Sequence, residues 1–150
     1  MGWVGVLPAL FFMNNNTKTV IIIRGIPGSG KSTWIKTNLK DPVVCSADNY
    51  FYNADGIYTF NKDDIGRAHN HCKNAFQKAV GESRNLIVVD NTNIKKKDYS
   101  FYVDLGKQHG YTIFQKCLTT NFGSIHNVPK ETVERMKSQF ETDNVLPEYI

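Results

Sequence analysis

Residues 20–34 read VIIIRGIPGSGKSTW. Four branched aliphatic residues in succession predict a short strand buried on both faces, as in a parallel sheet. The strand runs into glycines, then a lysine and two hydroxyls. Gly25, Gly30, Lys31 and Ser32 satisfy the phosphate-loop pattern GxxxxGK[ST], and a helical run over 31–39 follows in the right place. Glycines let the backbone curl so that successive N–H groups converge on phosphate oxygens. The new helix aims its positive end at the same point. Gly25, Ile26, Pro27, Gly28, Ser29, Gly30, Lys31, Ser32 and Thr33 therefore read as a triphosphate cradle. Lys31 is expected to reach the β- and γ-phosphates, and the Ser32 hydroxyl to ligate Mg²⁺, so ATP and Mg²⁺ are the implied cofactors.

Outward from this stretch, strand and helix patterns alternate. Asp41-Pro42 ends the first helix and 43–47 reads as the second strand. Residues 50–60, YFYNADGIYTF, put two aromatic runs around an Asp-Gly turn signal, which predicts a hairpin or an ordered loop. Asn61 is a cap for the next helix, with Asp63 and Asp64 in its first turn. Ile65, Ala68, Cys72, Ala75, Phe76 and Ala79 form its apolar stripe, and Gly81 stops it. LIVVD at 86–90 is the third strand, 94–109 a helix ending at Gly110, and 111–118 the fourth strand. Pro129 suits the first turn of a last helix running to Phe140. The alternation predicts an α/β P-loop NTPase fold: a mostly parallel sheet of about four strands, helices on both faces, and ligands at the carboxyl ends of the strands.

The chain has 150 residues, enough for one domain. A net charge of +4 tolerates an anionic partner without requiring one. Cys45, Cys72 and Cys117 are odd in number and form no CxxC pair, which points to a reduced, cytoplasmic protein rather than a disulfide scaffold. Residues 1–16, MGWVGVLPALFFMNNN, read as a poorly specified extension, and 17–150 as the domain. The extension's apolar run is roughly eleven residues, too short to span a bilayer, so no membrane partner is expected. Oligomeric state is left open, monomer or otherwise.

Two carboxylates bear on chemistry. Asp90 ends LIVVD and stands as a Walker-B-like residue on the metal or its water shell, or as a plain turn former. Asp48, in CSADNYF, lies just past the second strand, at the sheet edge that carries the phosphate loop. There it is open between a solvated turn carboxylate and a base that takes a proton from an attacking hydroxyl.

The ordered set GIPGSGKSTW, SADNYF, DGIYTF, AHNHC, VVDNTN, GYTIF and VPKETVERM covers roughly residues 19–142. It resembles the P-loop polynucleotide-kinase-like family, in particular kinase domains of the NEDD-four-binding-protein-two type and their short relatives. The resemblance implies transfer of the ATP γ-phosphate to a hydroxyl, in known cases the 5′-hydroxyl of DNA or RNA. It makes Asp48 the general base, Lys31 and Ser32 the triphosphate site, and Asp90 and Asn93 residues near phosphate and metal. Arg135, in the shared VERM, faces nucleotide or serves as a surface ion-pair residue. One departure stands out. The segment TTNFGSIHNVP keeps His126 and Val128-Pro129, but Gly123 and Ser124 stand where the family has an Arg-Asn pair whose arginine clamps phosphates. None of the four arginines, Arg24, Arg67, Arg84 and Arg135, lies there, and Lys116 or Lys130 would lack the bidentate fork. Such an arginine is worth about 10³–10⁵ in rate. Two alternatives follow: an ATP-binding module with little or no kinase activity, and a P-loop kinase acting on a small-molecule hydroxyl.

Weaker signals remain. IKKKD at 94–98 is either a solvated face or a holder of nucleic-acid backbone. Tyr50, Phe51, Tyr52 and Tyr58 pack a hairpin or stack on a base. His69, His71 and Cys72 lack a fourth ligand for zinc, and His69 and Cys72 match a helix pair of the family.

Overall fold

A computed structural model of the protein describes residues 17–118 and 129–150. Strand β1 is Thr19–Arg24, β2 Val43–Cys45, β3 Leu86–Asp90 and β4 Thr112–Cys117. Helix α1 is Lys31–Asn38, α2 Ile65–Gly81, α3 Lys96–Gln108 and α4 Lys130–Gln139. The four strands form one sheet in the order β2-β3-β1-β4, and every pairing is parallel. This is the expected α/β architecture. Predicted ends differ from those observed by at most three residues, as fraying termini allow.

Strand β1 is central, and Val20, Ile21, Ile22 and Ile23 are all fully buried. Alternation splits them between two cores. Val20 and Ile22 pack with Phe76, Tyr99 and Tyr102 from α2 and α3, while Ile21 and Ile23 pack with Ile35 of α1 and with Tyr149. Burial of each such side chain stabilises the fold by about 1.5–3 kcal/mol. Gly106 lets α3 lie close to the sheet: a Cβ there would come 2.7 Å from Ile113 Cδ1. On α2 the predicted stripe holds at Ala68, Cys72, Phe76 and Ala79, but Ile65 is exposed. Asn61 caps a short 3₁₀ turn, Lys62–Asp64, that leads into α2, rather than capping α2 itself.

The C-terminal segment finishes the sheet. Gln115 N–H donates to Pro147 O, Tyr149 N–H donates to Gln115 O, and a single parallel bridge joins Gln115 to Glu148. The Glu148 carboxylate also accepts from Cys117 N–H. The tail thus covers the outer edge of β4, an edge that would otherwise present unpaired backbone groups.

Because β1 sits between β3 and β4, its connection to β2 and the β3–β4 connection leave in opposite directions. The carboxyl end of β1 is therefore a topological switch point, where α/β folds open a ligand crevice.

Candidate phosphate and acceptor site

The phosphate loop leaves β1 at Arg24. Gly28 and Gly30 have φ of 81° and 88°, conformations that favour glycine. Gly25 is needed for a different reason: a Cβ there would meet Ser29 Oγ at 2.5 Å and Leu118 O at 2.9 Å. Gly30 starts α1 with no side-chain cap and no acid in the first turn, leaving the helix's positive end unanswered by side chains. Lys31 Nζ donates to the carbonyls of Gly25 (3.1 Å) and Ile26 (3.3 Å), curled over its own loop. Burial holds its pKa below the ordinary value, against the opposing pull of the Asp90 and Asp48 charges.

Ser29 Oγ and Asp90 Oδ1 are buried polar atoms with no partner among the described residues. Asp90 is half-buried at the end of β3, and burial raises its pKa while Lys31 opposes the rise. Ser32, Asp48 and Asp90 line one cleft of about 220 Å³, with Val44, Ser46, Asn49, Tyr52 and Tyr58. One hydroxyl and one carboxylate are hard oxygen donors. They suit Mg²⁺, which keeps several waters and takes phosphate oxygens rather than needing an all-protein cage. Among the described residues no group of three or more His, Cys, Asp or Glu could hold a metal ion.

Asp48 lies in a 3₁₀ turn, Ala47–Phe51, that follows β2. Ser46 Oγ caps the turn by accepting from Asp48 N–H at 3.2 Å, and Asn91 Oδ1 accepts from Ala47 N–H at 2.9 Å. The exposed Asp48 carboxylate accepts from Tyr58 O–H at 3.4 Å. The predicted hairpin is a looser object: one antiparallel bridge, Tyr52 to Tyr58, closed by the Asn53–Gly56 turn. Sequence reasoning missed Asn91, whose amide joins the end of β3 to the Asp48 turn. Its position one residue after Asp90 was the available signal.

Other expected site residues land elsewhere. Asn93 is buried with φ 48°, and its Nδ2 donates to Ile23 O at 2.7 Å and to Asn91 O at 3.3 Å. Its amide N–H groups thus tie the DNTN loop to β1, and its Oδ1 has no partner among the described residues. Arg135 is exposed on α4, and its carbonyl accepts from Ser138 Oγ. Gly123, Ser124 and His126 lie outside the described residues. At the lysine run it is the backbone that meets carboxylates: Glu141 Oε1 accepts from Lys96 N–H and Asp98 Oδ2 from Lys95 N–H. His69 is exposed on α2 and Cys72 buried, with Cys72 Sγ 3.5 Å from Asn91 Nδ2.

Sequence reasoning missed Arg24, which is fully buried. Its guanidinium donates to the carbonyls of Asn93, Ile94 and Glu141 and to Gln115 Oε1, and lies over the rings of Tyr99 and Phe140. It fastens the base of the phosphate loop to β4, the DNTN loop and the C-terminal segment. An arginine closing an otherwise aliphatic strand was the signal.

The sequence profile of the AAA domain family matches residues 20–120. Human NEDD4-binding protein 2 is 33% identical over 138 aligned residues, which cover 81% of this chain and 8% of that protein. The solved Pnkp1/Rnl/Hen1 complex aligns over 88% of this chain and 46% of the matched chain, with a TM-score of 0.53 and 16% identity. The AvrRxo1-ORF1:-ORF2 complex with ATP aligns over 75% and 40%, with a TM-score of 0.51 and 16% identity. This chain therefore spans less than half of each of these matched proteins. The match to NEDD4-binding protein 2 agrees with the resemblance drawn from the motifs.

Proposed function

We propose, from the premise that the chain belongs to the AAA domain family and has a P-loop kinase-like fold, that it is an ATP-dependent phosphotransferase of the polynucleotide 5′-hydroxyl kinase type. The observation that carries the reading is the shared cleft. Ser32 and Asp90 on the phosphate side line it together with Asp48, and Lys31 feels the charge of both carboxylates. Ser29 Oγ and Asp90 Oδ1, buried and unsatisfied, fit a site completed by a charged ligand. The structural neighbour solved with ATP supports the choice of donor. The three free cysteines are compatible with a cytoplasmic reaction.

In this reading the loop N–H groups and Lys31 bind the triphosphate, Lys31 exchanging its loop carbonyls for phosphate oxygens. Ser32 and Asp90 would hold Mg²⁺, which when bound neutralises phosphate charge. Asp48 takes the proton from the acceptor hydroxyl as that oxygen bonds to the γ-phosphorus. The bond from phosphorus to the β–γ bridging oxygen breaks, and ADP leaves. Asn91 and Ser46 hold the turn that carries Asp48.

Incubation with γ-labelled ATP, Mg²⁺ and 5′-hydroxyl oligonucleotides is expected to label the oligonucleotide 5′ end. Bound ATP without label on any acceptor would overturn the reading in favour of an ATP-binding module. Label on nucleosides or sugars, but not on oligonucleotides, would move the acceptor to small molecules.

A further inference from the structure

The cleft has a second wall that this reaction does not use. Tyr52, Ile57, Tyr58 and Phe60 are 50%, 57%, 40% and 55% exposed, a cluster of large apolar side chains beside Asp48. The rings form a connected series. Tyr52 and Tyr58 are 5.2 Å apart between centroids, Tyr58 and Phe51 6.1 Å, and Phe51 and Phe60 5.0 Å, with Phe51 buried as the anchor. Tyr52 and Tyr58 are bridge partners, so their side chains stand on one face of the loop, and both line the cleft.

This loop is built to hold its shape. Asn53 Oδ1 accepts from the N–H groups of Asp55 and Ile57, both at 2.9 Å. Asn53 N–H donates to Ile57 O, and Gly56 takes φ 77° to close the turn. Thr59 donates to Phe51 O through both its N–H and its hydroxyl. Exposed rings on a preorganised backbone lose little freedom when something stacks on them.

We infer that Tyr52 and Tyr58 are the platform for the 5′-terminal base of a single-stranded polynucleotide, with its 5′-hydroxyl directed to Asp48. This rests on the phosphotransfer reading and names the residues that hold the acceptor's terminal base. The occupant must offer a flat π face and a hydroxyl close together, and a terminal nucleotide carries both in one residue. Tyr58 joins the two demands, because its ring belongs to the platform and its O–H donates to Asp48 Oδ1. A single strand is favoured over a flush duplex end because its terminal base is free to leave the stack.

The test is binding, read by anisotropy of 3′-labelled strands with a non-hydrolysable ATP analogue present. Four strands are compared: a 5′-hydroxyl single strand, the same strand abasic at its first residue, the same strand abasic at an interior residue, and a flush duplex. Removal of the terminal base, or Tyr52→Ala, is expected to weaken binding by about five-fold to a hundred-fold, with little further loss when the two are combined. Tyr52→Phe is expected to restore affinity, and an unchanged melting temperature shows that each variant is folded. The inference is overturned if the wild type binds intact and terminally abasic strands alike, or binds none of them. It is equally overturned if Tyr52→Ala weakens both strands equally, or if the duplex binds as tightly as the single strand. Failure of the phosphotransfer reading is seen separately, as strands that bind normally but receive no label from ATP.

Discussion

On the phosphate-loop wall of the cleft, Gly28 and Gly30 hold positive φ, Ser29 Oγ and Asp90 Oδ1 are buried without partners among the described residues, and Lys31 leans back on its own loop. On the facing wall, residues 46–61 are held mostly by local bonds, with Asn91 Oδ1 accepting from Ala47 N–H. Ser46 and Asn61 cap their turns, Asn53 closes the hairpin, and the rings of Tyr52 and Tyr58 stay exposed while Phe51 anchors them. The first wall is polar and keeps buried oxygens unpartnered among the described residues. The second is held by its own turns and by Asn91, and offers π surface. Under the proposed function, the first wall would hold the donor by charge and the second the acceptor by stacking.

The comparison is broken most directly at Asp48, which stands between the walls. Asp48→Asn is expected to lower phosphoryl transfer by about 10²–10⁴ while ATP affinity barely moves. Transfer at the wild-type rate in that variant would remove Asp48 from the role of base. Lys31→Ala belongs wholly to the donor wall. It should weaken ATP binding and lower turnover by about 10²–10³, with acceptor-strand affinity preserved. Equal loss for ATP and strand would mean the walls are not separate.

Arg24 tests the foundation of the donor wall. Arg24→Ala removes a fully buried guanidinium, leaves the carbonyls of Asn93 and Glu141 without their donor and leaves that of Ile94 with only Glu141 N–H. A loss of about 3 kcal/mol is expected in chemical denaturation. A loss below about 1 kcal/mol would show that water replaces the arginine at these carbonyls.

A pH experiment probes the floor beneath both walls. Burial, with a smaller contribution from Cys72, pushes the Cys45 thiol from the ordinary 9.0 up to about 12. The native state then keeps a proton that the unfolded chain releases near pH 9. Stability from this group is full below pH 9 and declines as pH rises toward 12, by at most about 1.4 kcal/mol per pH unit. Denaturation curves of Cys45→Ala should show a flatter alkaline decline, and an unchanged slope would assign the decline elsewhere. The smallest effect is expected on the acceptor wall. Asn53→Ala removes an acceptor from two turn N–H groups on an exposed loop, for about 1 kcal/mol of stability. It should raise the KM for strand acceptors and leave the KM for ATP unchanged. The opposite pattern would place the hairpin on the donor side.

Much of the donor wall was legible before any coordinates, because its signals are contiguous. An aliphatic run, spaced glycines and a helix start all fall within residues 20–34, and each acts on its neighbours through backbone sterics and the helix dipole. The acceptor wall was half legible. The Asp-Gly turn and the aromatic runs marked residues 50–60, but period and composition could not say which rings would be buried. Phe51, the last residue of the 3₁₀ turn, is buried, and Tyr52 just past it is exposed.

What lay beyond such reading is long-range. The strand order β2-β3-β1-β4 is decided by which faces find cover, not by the residues of any single strand. The bonds of Arg24 reach from 69 to 117 positions along the chain, and the tail's pairing with Gln115 spans more than 30. Asn91, one residue past β3, holds the Asp48 turn across 44 residues. Local chain stiffness and periodicity carry information over one element at a time. The choice of partner for a buried guanidinium or an uncovered strand edge follows from the need to satisfy polar groups removed from water, and that need is met by whatever the folded chain brings near.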